Sequence, residues 1–170
     1  MECITLPQVE CLPAVMQHII ESLVHLSEAA DDHTLHPTIF QSATLPGISI
    51  VDYVARLQKY AKFKAHDFVV ALLYVKRMML SHPQIRFTDL TVHRMLIAVL
   101  LVATKMFRDI HFSNRYYAKV GGITTRELGR LERCTLDLLD FKLYVSTEEF
   151  ESERQRWTSP EEYKVNYESP

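Results

Sequence analysis

Apolar residues recur at helical spacing along most of the chain, and the longest such stretch is Thr88 to Asp109, TDLTVHRMLIAVLLVATKMFRD. It holds no Gly or Pro, Thr88 or Asp89 stands at an N-cap position, and Met95 through Ala103 are apolar around nearly the whole circumference. A helix apolar on almost every side is one that others pack around, so this stretch is expected to be the central core helix. His93 and Arg94 near its start and Lys105 near its end confine the apolar run. It falls far short of the ~18 to 20 residues a bilayer span needs.

The remaining elements follow from the same pattern. From Pro13, PAVMQHIIESLVHLSEAADD sets Val15, Ile19, Leu23 and Leu26 on one face, with Pro at a permitted first-turn position. That helix breaks at Asp31-Asp32-His33, and residues 33–47, with two prolines and Gly47, read as an extended connector anchored by Phe40 and Leu45. Ser49 caps a helix to about Tyr60, with Ile50, Tyr53, Val54 and Leu57 inward. Another runs from about Ala65 to Ser81 with Phe68, Val69, Leu72, Leu73, Val75 and Met79 inward, and Pro83 ends it. Beyond the central helix, a short one from about Ser113 to Val120 closes on Gly121-Gly122. Thr124-Thr125-Arg126-Glu127 is a capping-box pattern opening a helix to about Leu139, and Ser146-Thr147-Glu148-Glu149 opens a charged helix to about Trp157. Residues 1–12 read as a loose lead-in, and the polar, Pro-containing end TSPEEYKVNYESP as disordered. No strand pattern or internal repeat occurs. The fold class predicted is all-α: residues 1–47 a leading helix and connector, 48–145 a helical bundle, 146–170 a last helix and tail.

Composition narrows this further. At 170 residues the chain has room for one domain with a sizeable core, and 48% hydrophobic residues with only four glycines suit a helical one. A net charge of -2 argues against broad affinity for nucleic acid or acidic membranes. Cys3, Cys11 and Cys134 form no CxxC pair and leave an odd thiol, as in a reducing compartment. The opening MECITLPQVE lacks a signal-peptide pattern. These features place the protein inside the cell, in nucleus or cytoplasm.

No active site is legible. His33 and His36 beside Asp31 and Asp32 are a weak metal pattern in a Pro-flanked loop, so no metal is expected. No GxGxxG or P-loop is present, and His66-Asp67 and Cys134 have no nucleophile context. No cofactor or small-molecule substrate follows. Arg126, Arg130 and Arg133 form a basic helical line, read as a solvated face rather than a nucleic-acid surface. Ser159-Pro160 and Ser169-Pro170 fit proline-directed kinases, a pattern of low specificity. Two charges are out of place. Lys105 continues the line Ala98, Leu101, Val102, and Glu132 lies between Leu128 and Leu136, so each interrupts an apolar stripe. Either each pairs locally, Lys105 with Asp109 and Glu132 with Arg133, or both mark the middle of an apolar partner surface.

Several motifs, spread over Pro13 to Phe150, resemble the cyclin box, and more closely that of the single-box P/U-type (phosphate-response) cyclins. Phe40 is followed by Pro46-Gly47-Ile48-Ser49-Ile50-Val51-Asp52-Tyr53 and Arg56-Leu57, where the family reads Pro-x-Ile-Ser-Ile-x-Asp-Tyr-x-x-Arg-(Ile/Leu). Tyr74 and Arg77 match its Tyr-x-x-Arg, Ala103-Thr104-Lys105-Met106-Phe107 its Lys-bearing central helix, and Leu131-Glu132 its fifth helix. The resemblance implies a five-helix cyclin-box bundle around a central helix, with added N-terminal and C-terminal helices. It implies a subunit that activates a cyclin-dependent protein kinase and does no chemistry itself. In the family that Lys and Glu hydrogen-bond the kinase backbone beside its regulatory helix. The binding residues implied are therefore Lys105 and Glu132, with Leu101, Leu128 and Leu136 flanking them. A cyclin-like adaptor or scaffold without kinase activation is the alternative. Two departures stand out. Gly47 falls where many cyclins carry the Arg of a Met-Arg-Ala-Ile-Leu substrate-docking motif, and Lys76 replaces the acid of Tyr-Ile-Asp-Arg. The chain also ends too soon for a second full box.

Overall fold

The computed structural model describes residues 38–158, with side chains to residue 156. The expected leading helix, the His33/His36 pair, Cys3, Cys11, both Ser-Pro sites and the polar tail lie outside the described residues. Among these residues six helices follow one another: α1 (Ile50–Arg56), continued by a wider π-helical turn (Leu57–Ala61), α2 (Ala65–Ser81), α3 (Val92–Phe107), α4 (Asn114–Gly121), α5 (Thr125–Leu138) and α6 (Thr147–Thr158). No strand occurs among the described residues, so the fold is all-α.

Helix α3 is the axis. Met95 through Leu101 are wholly buried, and Val102, Ala103 and Thr104 nearly so. It packs chiefly on α2 and α5 and also touches α1 and α4, while α6 lies on the outer side of α2. An apolar stripe on each neighbour is thus matched by a different side of one all-apolar helix. Helix α4 approaches α3 closely at Gly121, where a Cβ would sit 3.1 Å from Ile97 Cγ1.

The caps are those the sequence encodes. Ser49, Ser113 and Thr124 each accept a backbone N–H from the first turn of the helix that follows. Gly122 closes α4 at φ 72°, a left-handed conformation that favours glycine. Ser146 and Glu149 complete a reciprocal capping box. At Thr124 only half of the expected box forms, because the Glu127 carboxylate is drawn to Arg94 of α3, 2.7 Å away.

Three details differ from expectation. The central helix begins at Val92, because Thr88 to Thr91 forms a turn closed by the Thr91 hydroxyl, which accepts from Thr88 N at 2.8 Å and donates to the Arg86 carbonyl. Phe40 is buried as an anchor, but Leu45 is 67% exposed and anchors nothing. On α2, Phe68, Val69, Leu72 and Val75 are buried as expected, but Tyr74 and Met78 join them while Leu73 and Met79 are only half-buried. Helix α2 faces α3 on one side and, on the other, α6 and the segment after α5, which moves the buried stripe. Tyr74 Oη donates to the Leu143 carbonyl at 2.7 Å, and burial pushes that phenol up to about 12. Arg77 reaches the Lys142 carbonyl and Glu149, both at 2.9 Å, and Lys76 pairs with the buried Glu153 of α6 at 2.5 Å. The Tyr-x-x-Arg motif therefore clamps the segment after α5, and the lysine that departs from the family pattern holds α6.

His93, in the first turn of α3, sets a pH dependence. Its Nε2 is 3.0 Å from the Ile48 carbonyl, an acceptor, so Nε2 carries the proton, and Nδ1 is buried without a partner. Burial lowers the affinity of this imidazole for a second proton, outweighing the Ile48 hydrogen bond and the charge of Asp89. The unfolded chain therefore binds more protons, and stability is lost as pH falls through the unfolded value of ~6.5. Thermal unfolding is expected to shift to lower temperature between pH ~7.5 and ~5.5, and His93→Gln, which keeps the donor, should flatten that slope. Parallel slopes for the two proteins would assign the dependence to other groups.

Candidate functional site

The two charges that interrupt apolar stripes come together. Lys105 lies in the last turn of α3, where the helix dipole favours a cation, and Glu132 lies midway along α5. Lys105 Nζ is 2.6 Å from Glu132 Oε1, so neither uses the local partner, Asp109 or Arg133, that sequence proximity offered. The other carboxylate oxygen, Oε2, accepts from Asn114 Nδ2 of α4 at 2.9 Å. One polar cluster thus joins α3, α4 and α5. The Lys105 and Glu132 side chains keep 32% and 17% of their surface in solvent. An ion pair this exposed contributes about 0–1 kcal/mol to folding.

Exposed apolar side chains follow Lys105 along the chain. Met106 and Phe107 end α3 with 47% and 43% of their surface exposed, and Ile110 in the next loop is 89% exposed. Phe112 and Tyr116 are also exposed, and their rings lie 4.5 Å apart. Large apolar side chains rarely stay in water as a group unless something covers them. The local sequence explains why this stretch is ordered: Ser113 caps α4, and Phe112 just before it packs edge-on against the buried Tyr117, a hydrophobic staple.

Of the flanking leucines implied by the resemblance, Leu101 and Leu128 are fully buried. They are core residues beneath the cluster and have no exposed surface for a partner, because each stands on the stripe that packs α3 against α5. Leu136 is half-buried. The exposed apolar groups are instead Met106, Phe107, Ile110, Phe112 and Tyr116, and the polar member not anticipated is Asn114. Periodicity did not single these out, because it scores Met106, Phe107 and Tyr116 as ordinary helix positions and does not apply to Ile110 and Phe112 in the loop between helices.

Other candidate chemistry finds no site among the described residues. Among the described residues no group of three or more His, Cys, Asp or Glu side chains is placed to hold a metal. Cys134 is half-buried, and burial together with Asp137 pushes its thiol up, the reverse of what a nucleophile needs. Arg126, Arg130 and Arg133 are exposed. No helix among the described residues is long and apolar enough to cross a membrane.

Known proteins resemble this chain along the same stretch. The family model described as Cyclin matches residues 15–143. Cyclin-U1-1 of Arabidopsis thaliana is 35% identical over 142 residues, covering 81% of this chain and 68% of that protein. Cyclin-P3-1 of Oryza sativa subsp. japonica is 44% identical over 115 residues, 68% of this chain and 48% of that one. Cyclin-U3-1 of Arabidopsis thaliana is 42% identical over 113 residues, 66% of this chain and 51% of that one. The chain thus spans about half the length of the latter two relatives.

Proposed function

The chain belongs to the cyclin family, and from that premise we propose that it is the activating subunit of a cyclin-dependent protein kinase. Cyclins are regulatory rather than catalytic proteins, and no residue here is assigned a catalytic role. The observation that carries the reading is the Lys105–Glu132–Asn114 cluster set among exposed Met106, Phe107 and Ile110. An apolar patch with a polar centre is the arrangement a partner helix needs: side chains cover the patch while its backbone engages the charges.

In this mechanism the kinase regulatory helix seats on the α3–α5 face. Lys105 Nζ donates to a kinase backbone carbonyl, and Glu132 accepts a backbone N–H. Both charges keep solvent-facing capacity in the free chain, so the contacts form without breaking the pair outright. Asn114 holds the Glu132 carboxylate in place from its far oxygen. Leu101 and Leu128 contribute from below, by fixing the spacing of α3 and α5, and Leu136 lies at the edge. The docked helix is biased toward the position in which the kinase's own Lys–Glu pair forms. The cyclin supplies only differential affinity for that state. The setting is the cell interior, nucleus or cytoplasm, with no cofactor, metal, membrane, nucleic acid or small-molecule substrate required.

Affinity purification of the tagged chain from its native cells, with mass spectrometry and a kinase assay on the eluate, tests this. A cyclin-dependent kinase whose activity requires the tagged chain is the expected result. A reproducible partner that is not a kinase, with no kinase activity, would establish an adaptor instead.

A further inference from the structure

Residues 108–113 join α3 to α4 and carry the exposed Ile110 and Phe112. Lys105 lies shortly before this loop, and Asn114, which holds Glu132, follows directly after it. Little of the loop's own backbone holds it. Among the described residues the N–H groups of Asp109, Ile110 and His111 have no protein acceptor, while that of Phe112 donates to a side chain, Tyr117 Oη, at 3.3 Å. A loop tied so sparsely samples many shapes unless side chains fix it.

Tyr117 is placed to fix this one. It is wholly buried on α4. Its ring stacks on Phe63, with centroids 5.4 Å and planes 11° apart, and the Phe112 ring meets it at 71° and 5.9 Å. Phe63 in turn meets Phe68 of α2 edge-on, at 6.4 Å. The rings of Phe68, Phe63, Tyr117 and Phe112 thus form a column running from the core to the loop. Burial pushes the Tyr117 phenol up, outweighing the Phe112 hydrogen bond and the charge of Arg108, so the group stays a neutral hydroxyl. Phenylalanine would fill nearly the same space, but only a hydroxyl can accept the Phe112 N–H.

We propose that Tyr117 is a positioning residue for partner docking. Through its hydroxyl on the Phe112 N–H it holds the loop in the shape that presents Ile110 and Phe112 to a partner engaged at Lys105 and Glu132, without touching the partner itself. The proposal rests on the kinase-activator reading for the identity of that partner. The physical effect is ordering ahead of binding: a loop already fixed contributes its apolar side chains without losing conformational entropy at the moment of docking.

The test starts on the free chain. In Tyr117→Phe, hydrogen exchange at the Phe112 amide is expected to quicken about fivefold or more. Backbone order parameters at Ile110 and His111 should fall toward about 0.6, from about 0.85 for rigid backbone, with those of α2 and α3 unchanged. Affinity for the kinase recovered with the wild-type chain, measured by calorimetry, should fall about fivefold. Val75→Ala, which truncates a fully buried residue of α2, should lower the melting temperature further and leave that affinity as it was. That contrast separates positioning from general stability. Unchanged exchange and order parameters in the loop would overturn the positioning role, and a loosened loop with unchanged affinity would overturn its link to docking. Were the wild type to recover no kinase, a loosened loop in Tyr117→Phe would keep the support from Tyr117 and sink only the kinase reading.

Discussion

Glu132→Ala is expected to weaken kinase binding by about 2 kcal/mol or more, close to 30-fold, while leaving folding stability nearly unchanged. The two effects separate because the pair has different surroundings in the two states. In the free chain Lys105 keeps 32% of its side-chain surface in solvent, so truncating Glu132 strands no buried charge and costs little. Under a docked kinase helix both become buried, and each backbone group left without its partner carries a desolvation cost. Lys105→Ala should behave alike, and Asn114→Ala should give a smaller loss, since it only orients Glu132. The exchange Lys105→Glu/Glu132→Lys makes the test sharper. It retains a salt bridge between α3 and α5 but inverts what each helix offers the kinase backbone. Retained stability with lost binding, measured by isothermal calorimetry and thermal unfolding, is the expected outcome. Restored binding in the exchange variant would reduce the pair to an internal bridge and sink its assignment as the kinase anchor.

The largest effect on stability is expected at Asp67. This carboxylate is 1% exposed and sits at the start of α2, where Oδ2 accepts the Lys64 N–H at 2.6 Å and the Arg108 guanidinium. Arg108 follows the last residue of α3 and also donates to the Lys62 carbonyl at 3.3 Å. The pair therefore joins the start of α2, the end of α3 and the turn leaving α1. Asp67→Ala removes the cap and leaves Arg108, only 19% exposed, without a counter-charge. A loss of about 3 kcal/mol or more is expected from breaking one side of such a pair, read as a lower urea midpoint at unchanged m-value. Asp67→Ala/Arg108→Met should be less destabilised than Asp67→Ala alone, because the stranded charge is gone. Additive losses in the double variant would show that the two side chains act independently.

The helices were legible in the sequence because what specifies them is local. Ser49, Ser113 and Thr124 cap the turn that immediately follows, and Gly122 supplies the left-handed stop of α4. The bounds of α2, Ala65–Ser81, follow from its apolar period and Pro83. Where a side chain nearby in sequence competed, at Thr91 for the start of α3, the boundary moved by a few residues. Lys105 and Glu132 were conspicuous as charges within apolar stripes, which is again a property of each helix by itself.

Their meeting was not legible, because 27 residues separate them and the distance between them depends on how α3 crosses α5. The same crossing buries Leu101 and Leu128 and leaves Met106 and Phe107 in solvent. A helix apolar on nearly every side does not encode which side its neighbours take. The place of Asn114 in that cluster and the Asp67–Arg108 pair have the same origin, each needing residues from helices distant in sequence. The sequence by itself determined that the chain is all-α, where its helices run and which charges stand out. Only the tertiary structure decided which of those charges share a site and which apolar residues remain exposed around them, since periodicity and capping act over a few residues and packing acts across the whole domain.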